Sequence, residues 1–334
     1  MAVEILHEKD GSLEPLKGKT IAILGFGSQG HAHAQNSRDS GLNVIVAELP
    51  DTDNYKLAVE KGFQPVPAEE AVKQADIFLM TLPDEVQPTV YEKAIKANLR
   101  PGQTMICTHG FNIHYQTIVP SKDINVVMVA PKGPGHVVRS EYERGGGVPC
   151  LIAVHQDATG NAKDIAMAWT IAIGGARAGV IVATFKDEVE TDLFGEQCVL
   201  CGGLSELIKT GYDVLTEAGY PPEMAYYEVC HEMKLIINLI ERGGLNYMRY
   251  SVSNTAEFGD YHTGKNIVTD QTRQAMKDAL ADIQSGKFAK IFRGDYESGF
   301  KWFKAQREKN RNHPIEVIGK KMRAMMPWLN SIEM

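Results

Sequence analysis

The sequence predicts a doubly wound α/β domain followed by an all-helical one. Three features lead there. Short, nearly continuous apolar runs alternate with helical patterns as far as Thr184. No convincing strand follows Lys186, and the first apolar run passes directly into a glycine-rich turn. With 334 residues, the chain has room for about two domains at roughly 150 residues each.

The strand candidates are, in order, TIAILG, NVIVAE, ADIFLMTL, TMICTH, NVVMVAP, VPCLIAVH and AGVIVAT. They are rich in Val, Ile and Met, as expected of parallel strands covered by helices on both faces. Helical stretches such as GHAHAQNSRDSG and EEAVKQ separate several of them, which gives a βαβ rhythm. Beyond Lys186 the patterns are helical: EVETDLFGEQCVLCGGLSELIKTGYDVLTEAG, PPEMAYYEVCHEMKLIINLIERGG, TDQTRQAMKDALADIQSGKFAKIF and SGFKWFKAQREKN. The second string is apolar on nearly every side through Leu235, Ile236, Ile237, Leu239 and Ile240, so it belongs in a bundle or an interface. We therefore expect a dinucleotide-binding domain over residues 1–183 and a helical domain that makes an oligomer over residues 184–330.

Composition excludes several classes. Hydrophobic residues make up 43% and charged residues 23% of the chain, which suits a packed core and argues against disorder. Thirty-five basic and 42 acidic residues give a net charge of −7, so no basic excess exists to neutralise a nucleic-acid backbone. No apolar stretch approaches the ~18–20 residues that cross a bilayer. The N-terminal MAVEILHEKDGSLEPLKGK is polar and mixed in charge, unlike a signal or transit peptide, so a cytoplasmic protein is expected. Five scattered cysteines agree with a reducing compartment. Cys198 and Cys201 form a C-x-x-C inside the apolar run EQCVLCGG; buried small hydrophobes are the expectation, with a redox or zinc pair as the alternative.

The chemistry is written at the strand ends. GFGSQG, from Gly25 to Gly30, is a G-x-G-x-x-G between a strand and a helix, with Glu48 after the second strand. Gly25 permits the tight turn, Gly27 lets a pyrophosphate reach the backbone, and Gly30 lets the helix pack on the strand. Unpaired N–H groups at the helix start then face the anion. Ligands of such sheets bind beyond the carboxyl ends of the strands. There ADIFLMTL leads into Asp84, Glu85, Val86 and Gln87; TMICTH into His109; and NVVMVAP into Lys132 and Gly135. An imidazole and an ammonium thus flank one crevice, although a strand-end histidine can also be ordinary. In the helical half, Asp192 and Glu196 are spaced i, i+4, as are Glu228 and Glu232. Each pair shares a helix face, where like charges repel. Solvated acidic faces would explain this, but the apolar neighbours Leu193, Phe194, Val229 and Met233 favour a bound cation. Carboxylates without His or Cys ligands suit a hard ion, Mg²⁺ or Mn²⁺.

GFGSQGHAHAQN, CTHGFNIHY, VAPKGPGHVVR, ETDLFGEQCVLCGG, YYEVCHEMKLI and YSVSNTAEFGDY together resemble the ketol-acid reductoisomerases, or acetohydroxy-acid isomeroreductases, from about Leu16 to about Ile332. The length is similar to the short class, which has one helical domain. The resemblance implies a knotted helical domain that interlocks with its copy in a homodimer or a multiple of dimers. It implies conversion of 2-acetolactate or 2-aceto-2-hydroxybutyrate to the 2,3-dihydroxy acid, by alkyl migration and then hydride reduction, in valine, leucine and isoleucine biosynthesis. Two Mg²⁺ ions are implied, with Asp192 bridging them, Glu196 completing one site, and Glu228 and Glu232 serving the other. His109 and Lys132 match the active-site His and Lys; Lys132 would hydrogen-bond the metal-bound waters or Glu232, which is expected to be catalytic as well as a ligand. Ser253 matches the substrate-holding serine. Glu228, Glu232 and Ser253 would come from the partner. Cofactor contacts are expected from Gly25, Phe26, Gly27, Ser28, Gln29, Gly30, Asp84, Glu85, Val86, Gln87 and Gly135.

The loop ELPDTDNYKLA sets an expectation of NADH over NADPH. NADPH-using members of the family usually place an Arg and two Ser there, and this chain has Leu49, Thr52 and Asn54. The acids Glu48, Asp51 and Asp53 would repel a 2′-phosphate and accept hydrogen bonds from a bare 2′-hydroxyl, with Asp53 and Glu48 the leading contacts. Lys56, one turn on, leaves room for some NADPH use. A hydroxyacid or 6-phosphogluconate-type dehydrogenase would need no metal, and a nucleotide sensor would not need His109, Lys132 and four acids together.

Overall fold

The structure is a computed structural model that describes residues 3–329 and 331–332. The chain forms two compact units, one running to Thr191 and one beginning at Asp192.

The first unit is built on an eight-stranded sheet. Its strands are β1 (Ile5–Leu6), β2 (Thr20–Leu24), β3 (Asn43–Ala47), β4 (Ile77–Met80), β5 (Thr104–Cys107), β6 (Asn125–Pro131), β7 (Cys150–Gln156) and β8 (Val180–Val182). The order across the sheet is β1-β8-β7-β6-β5-β4-β2-β3. Strands β3, β2, β4, β5 and β6 are mutually parallel. The chain leaves β2 for β3 on one side and returns to β4 on the other. A switch point therefore opens between the carboxyl ends of β2 and β4, where such sheets bind ligands. Strands β4, β5 and β6 have every residue buried, which is why their sequences read as unbroken apolar runs.

The parallel expectation fails at β7, which runs antiparallel to β6. Its helix, Gly135–Glu143, does not cross the sheet. It lies against the Ser28–Asp39 helix, where Arg139 reaches Asn36 (2.8 Å) and Asp39 (2.7 Å), so the chain turns back beside β6. A true crossover, over the buried helix Ala162–Ala172, makes β8 parallel to β7. The two-residue edge strand β1 had no signal in the apolar pattern.

The second unit is helical among its described residues: Gly202–Glu217, Pro222–Tyr226, Met233–Ser251, Asn254–Ile267, Asp270–Gln284, Lys287–Glu297, Lys301–Arg311 and Pro314–Ala324. The Phe185–Gly195 helix leads into it from the first unit. Tyr212, Ala225, Tyr226, Ile315 and Met322 form a small core. Met233–Ser251 is kinked at Gly243 and Gly244, the latter at φ +76°, which a side chain would resist. This helix has no buried residue; Leu235 is 55% and Ile237 47% exposed. The apolar string predicted to be buried is therefore on the surface of the single chain. The C-x-x-C expectation needs correction too: Cys201 is exposed and Cys198 half-buried, whereas Cys107 and Cys150 are the buried thiols.

Candidate active site

The glycine turn sits at the switch point. Gly25 has φ +99°, and a Cβ there would lie 3.1 Å from the Thr81 carbonyl oxygen. At Gly30 a Cβ would fall 2.0 Å from the Gly25 oxygen, so only glycine lets the helix approach the strand. Gly27 differs. A Cβ on it would meet nothing nearer than the Asn54 amide at 3.9 Å, so its bareness serves no internal packing and leaves room for a ligand's phosphates at the helix start. Gly135 braces this turn: its N–H donates to Ser28 Oγ (3.1 Å), and a Cβ on it would strike the Ser28 carbonyl. Gln29 Nε2 donates to Gly133 O at 2.9 Å, while its Oε1 is buried without a partner. Phe26 is fully buried, and its N–H donates to Glu48 Oε2 at 2.8 Å.

Beside the turn lies a mainly apolar cavity of about 520 Å³, lined among others by Leu49, Tyr55, Pro67, Val86 and Thr89, a size and character suited to an adenine ring. In the loop bordering it, Glu48 Oε1 accepts from Leu49 N (2.8 Å), so both carboxylate oxygens already hold backbone N–H groups. Thr52 caps the Asp53–Glu60 helix: its Oγ1 accepts from Tyr55 N (3.1 Å) and donates to Leu49 O (2.9 Å). Lys56 pairs with Asp53 at 3.2 Å. Asp51 takes the left-handed region at φ +65°. On the other flank, Gln87 is buried, donating to Leu82 O (2.7 Å) and accepting from Asn112 Nδ2 (3.1 Å), while Asn112 also donates to the Asp84 carbonyl. Asn112 thus ties the Asp84 backbone to Gln87, and Asp84, Glu85 and Val86 are half-buried.

The ends of β5 and β6 carry the second cluster, organised by a residue that sequence reasoning missed. Glu188, only 1% exposed, accepts from Lys132 Nζ at 2.8 Å and lies 3.0 Å from His109 Nδ1. Its burial opposes ionisation. The His109 hydrogen bond and charge, then those of Lys132, outweigh this and hold the carboxyl below the ordinary range. Gly110 makes the approach feasible, because a Cβ there would lie 2.8 Å from both Phe185 and Val189 on the Glu188 helix. The available signal was the i, i+4 row itself: extended one step back from Asp192, it lands on Glu188.

Asp192 follows Glu188 by one turn on the same helix and is half-buried; Glu196 is exposed. Glu228 and Glu232 are exposed as well, so the apolar sequence neighbours do not shield these pairs within one chain. Ser253 is exposed, and its Oγ accepts from Ala256 N (3.2 Å) as the N-cap of the Asn254–Ile267 helix.

A sheet with a glycine turn at its switch point, and an imidazole and an ammonium on neighbouring strand ends joined by a helix carboxylate, defines a nicotinamide-dependent oxidoreductase class. Two family models then match nearly the whole chain: the acetohydroxy acid isomeroreductase NADPH-binding domain over residues 15–179 and the ketol-acid reductoisomerase C-terminal domain over residues 185–328. The chain belongs to the ketol-acid reductoisomerase family. An NADH-preferring ketol-acid reductoisomerase from an uncultured archean is 44% identical, with a TM-score of 0.95 over 97% of this chain and 99% of its own. More distant matches share the fold alone. A semialdehyde dehydrogenase NAD-binding protein from Cupriavidus necator (19% identity, TM-score 0.60) covers 80% of this chain and 99% of its own. A pyrroline-5-carboxylate reductase from Coxiella burnetii (13%, 0.56) covers 80% and 98%. No helix among the described residues is long and apolar enough to cross a membrane.

Proposed function

We propose that this ketol-acid reductoisomerase rearranges 2-acetolactate or 2-aceto-2-hydroxybutyrate with two Mg²⁺ ions and reduces the product to the 2,3-dihydroxy acid, as a step of branched-chain amino-acid synthesis. Glu188 is the observation that carries this reading: one buried carboxylate fixes both His109 and Lys132, one helical turn before Asp192. The donor set fits the ions. Asp192, Glu196, Glu228 and Glu232 offer only oxygen, and each pair shares a helix face whose mutual repulsion a divalent cation relieves. Bound there, Mg²⁺ would act as a Lewis acid on the substrate's hydroxyl and ketone oxygens and as their template.

The chain's own groups do the rest. Ionised Glu188 pairs with the Lys132 ammonium and aims it, so that Lys132 holds a proton at the substrate oxygen that becomes a hydroxyl on reduction. His109, gripped through Nδ1, presents its other ring nitrogen as a second polar contact at the crevice. Gly27 and the N–H groups of the following turn receive the dinucleotide's pyrophosphate. Ser253 binds the substrate and Glu232 the Lys132 side, both from the partner of an interlocked, knotted homodimer. The exposed apolar face of Met233–Ser251 supports that dimer or a multiple of it.

NADH is the proposed electron donor. Thr52 is committed to capping, Lys56 is engaged by Asp53, and Leu49 and Asn54 bring no cation, so a 2′-phosphate would meet three acids and no committed positive partner. The 44%-identical archaeal relative, described as NADH-preferring, points the same way. Titrating Mg²⁺ into metal-stripped enzyme and following acetolactate-dependent NADH oxidation tests the whole reading. Activity should be absent without the metal and saturate with it; undiminished turnover in chelator would contradict the assignment.

A further inference from the structure

The helical path through the first acid pair is not regular. Phe185–Gly195 is α-helical, Glu196–Leu200 is one wide π-turn, and Gly202–Glu217 is α-helical again. The wide turn is closed by Cys201 N–H donating to Glu196 O, five residues back, at 3.0 Å. A π-turn amounts to one extra residue in an α-helix. It shifts everything downstream by one place, or about 100° of rotation. The second acid pair is arranged likewise: Tyr227–His231 is a π-turn containing Glu228, closed by Glu232 N–H on Tyr227 O at 3.1 Å. One small core anchors the helices that the two turns connect to. Tyr212 lies on the helix after the first, and Ala225 and Tyr226 stand immediately before the second. Each acid pair is thus phased to an anchored helix through a wide turn.

The two turns end differently. The second leaves through Glu232 at φ −70°, ψ −21°, and residues with side chains, Met233 and Lys234, follow it. The first leaves through Cys201 at φ −111°, ψ −64°, which swings the next residues onto the turn's own carbonyls. A Cβ on Gly202 would lie 2.2 Å from Gln197 O, and one on Gly203 2.1 Å from Cys198 O. Those atoms are helical backbone and cannot step aside, so this exit requires glycine at both places.

We propose that Gly202 and Gly203 are positioning residues for the divalent-cation site: they admit the π-turn that sets the angle at which Asp192 and Glu196 stand relative to the anchored Gly202–Glu217 helix. A side chain at either place would force an α-turn and rotate the carboxylates out of register. This rests on the reading of Asp192 and Glu196 as metal ligands, so the experiment tests both. Mn²⁺ affinity by calorimetry and NADH affinity by fluorescence are measured on the full-length protein. The variants are Gly202→Ala, Gly203→Ala, Glu196→Gln, and Gly294→Ala, where a Cβ meets nothing within 4 Å. Gly202→Ala and Gly203→Ala should weaken Mn²⁺ binding by about tenfold or more, with NADH affinity held within about twofold. Gly294→Ala should match wild type in both. Removing Val199 from Gly202→Ala deletes the extra residue, restores the downstream phase, and should recover Mn²⁺ binding; that arm still reads if Gly202→Ala alone is insoluble. If Glu196→Gln weakens Mn²⁺ binding but the glycine variants do not, or if the Val199 deletion fails to rescue, the proposal is overturned and the ligand reading stands. If Glu196→Gln binds Mn²⁺ as wild type does, the ligand reading falls and takes the proposal with it.

Discussion

The two units stand in different relations to water. In the first, the central strands are wholly buried, and the helix Ala162–Ala172 alone buries Trp169 and seven other residues. In the second, three helices — Met233–Ser251, Asn254–Ile267 and Lys301–Arg311 — have no buried residue, and Phe258 is 70% exposed. The difference teaches where function can be complete. A dinucleotide turn braced from within by Gly135 on Ser28 and by Gln29 on Gly133 has its supports inside its own unit. The carboxylates of the second unit, exposed except for half-buried Asp192, stand among uncovered apolar helices, and the proposed dimer would bury those helices and gather the acids.

The largest expected effect separates the units. Asp192→Asn removes the proposed bridging charge and should lower turnover more than about a hundredfold while NADH affinity stays within about twofold. Loss of NADH binding, measured by fluorescence titration, would mean that the first unit is not self-sufficient.

Glu188→Gln probes the cluster that the first unit supplies. The amide oxygen can accept from Lys132 but cannot balance its charge, and breaking a buried ion pair costs on the order of 3–5 kcal/mol. Calorimetry should record a lower Tm, and kcat should fall more than KM rises. The carboxyl is held below its ordinary range, so its stabilisation is present above about pH 4.3 and is lost as pH falls through the lowered value. Wild type should therefore lose Tm on the acid side of that point more steeply than the variant. Parallel Tm–pH curves would show that Glu188 is not the group responsible.

The smallest effect sharpens the first unit alone. A Glu48→Gln, Asp51→Asn, Asp53→Asn triple variant should shift the ratio of NADH to NADPH kcat/KM toward NADPH by about tenfold, since one or two like-charge contacts are relieved. An unchanged ratio would make the acids bystanders. Glu48→Gln also gives up one of two backbone hydrogen bonds, because an amide offers a single accepting oxygen to the Phe26 and Leu49 N–H groups.

Most of the fold was legible because burial on both faces leaves an unbroken apolar record: all seven strand strings fall on β2–β8. The direction of β7 was not, because direction is set by where the Gly135–Glu143 helix packs, through Arg139 to Asn36 and Asp39 some hundred residues away. Spacing alone identified the acid pairs, but could not reveal the π-turns under them, since i, i+4 residues share a face in either helix. Glu188 went unread because a single acid among Asp187, Glu188 and Glu190 looks like solvent charge until folding buries it.

The central claim is that the helical unit works only with its copy, each proposed metal site taking Asp192 from one chain and Glu232 from the other. Co-expression of Asp192→Asn and Glu232→Gln chains tests it directly. Each variant alone should be inactive. A two-fold dimer of one of each has one site with both defects and one with none, so the co-expressed mixture should recover about a quarter of wild-type activity. A mixture as inactive as either parent would contradict sharing of the site between chains.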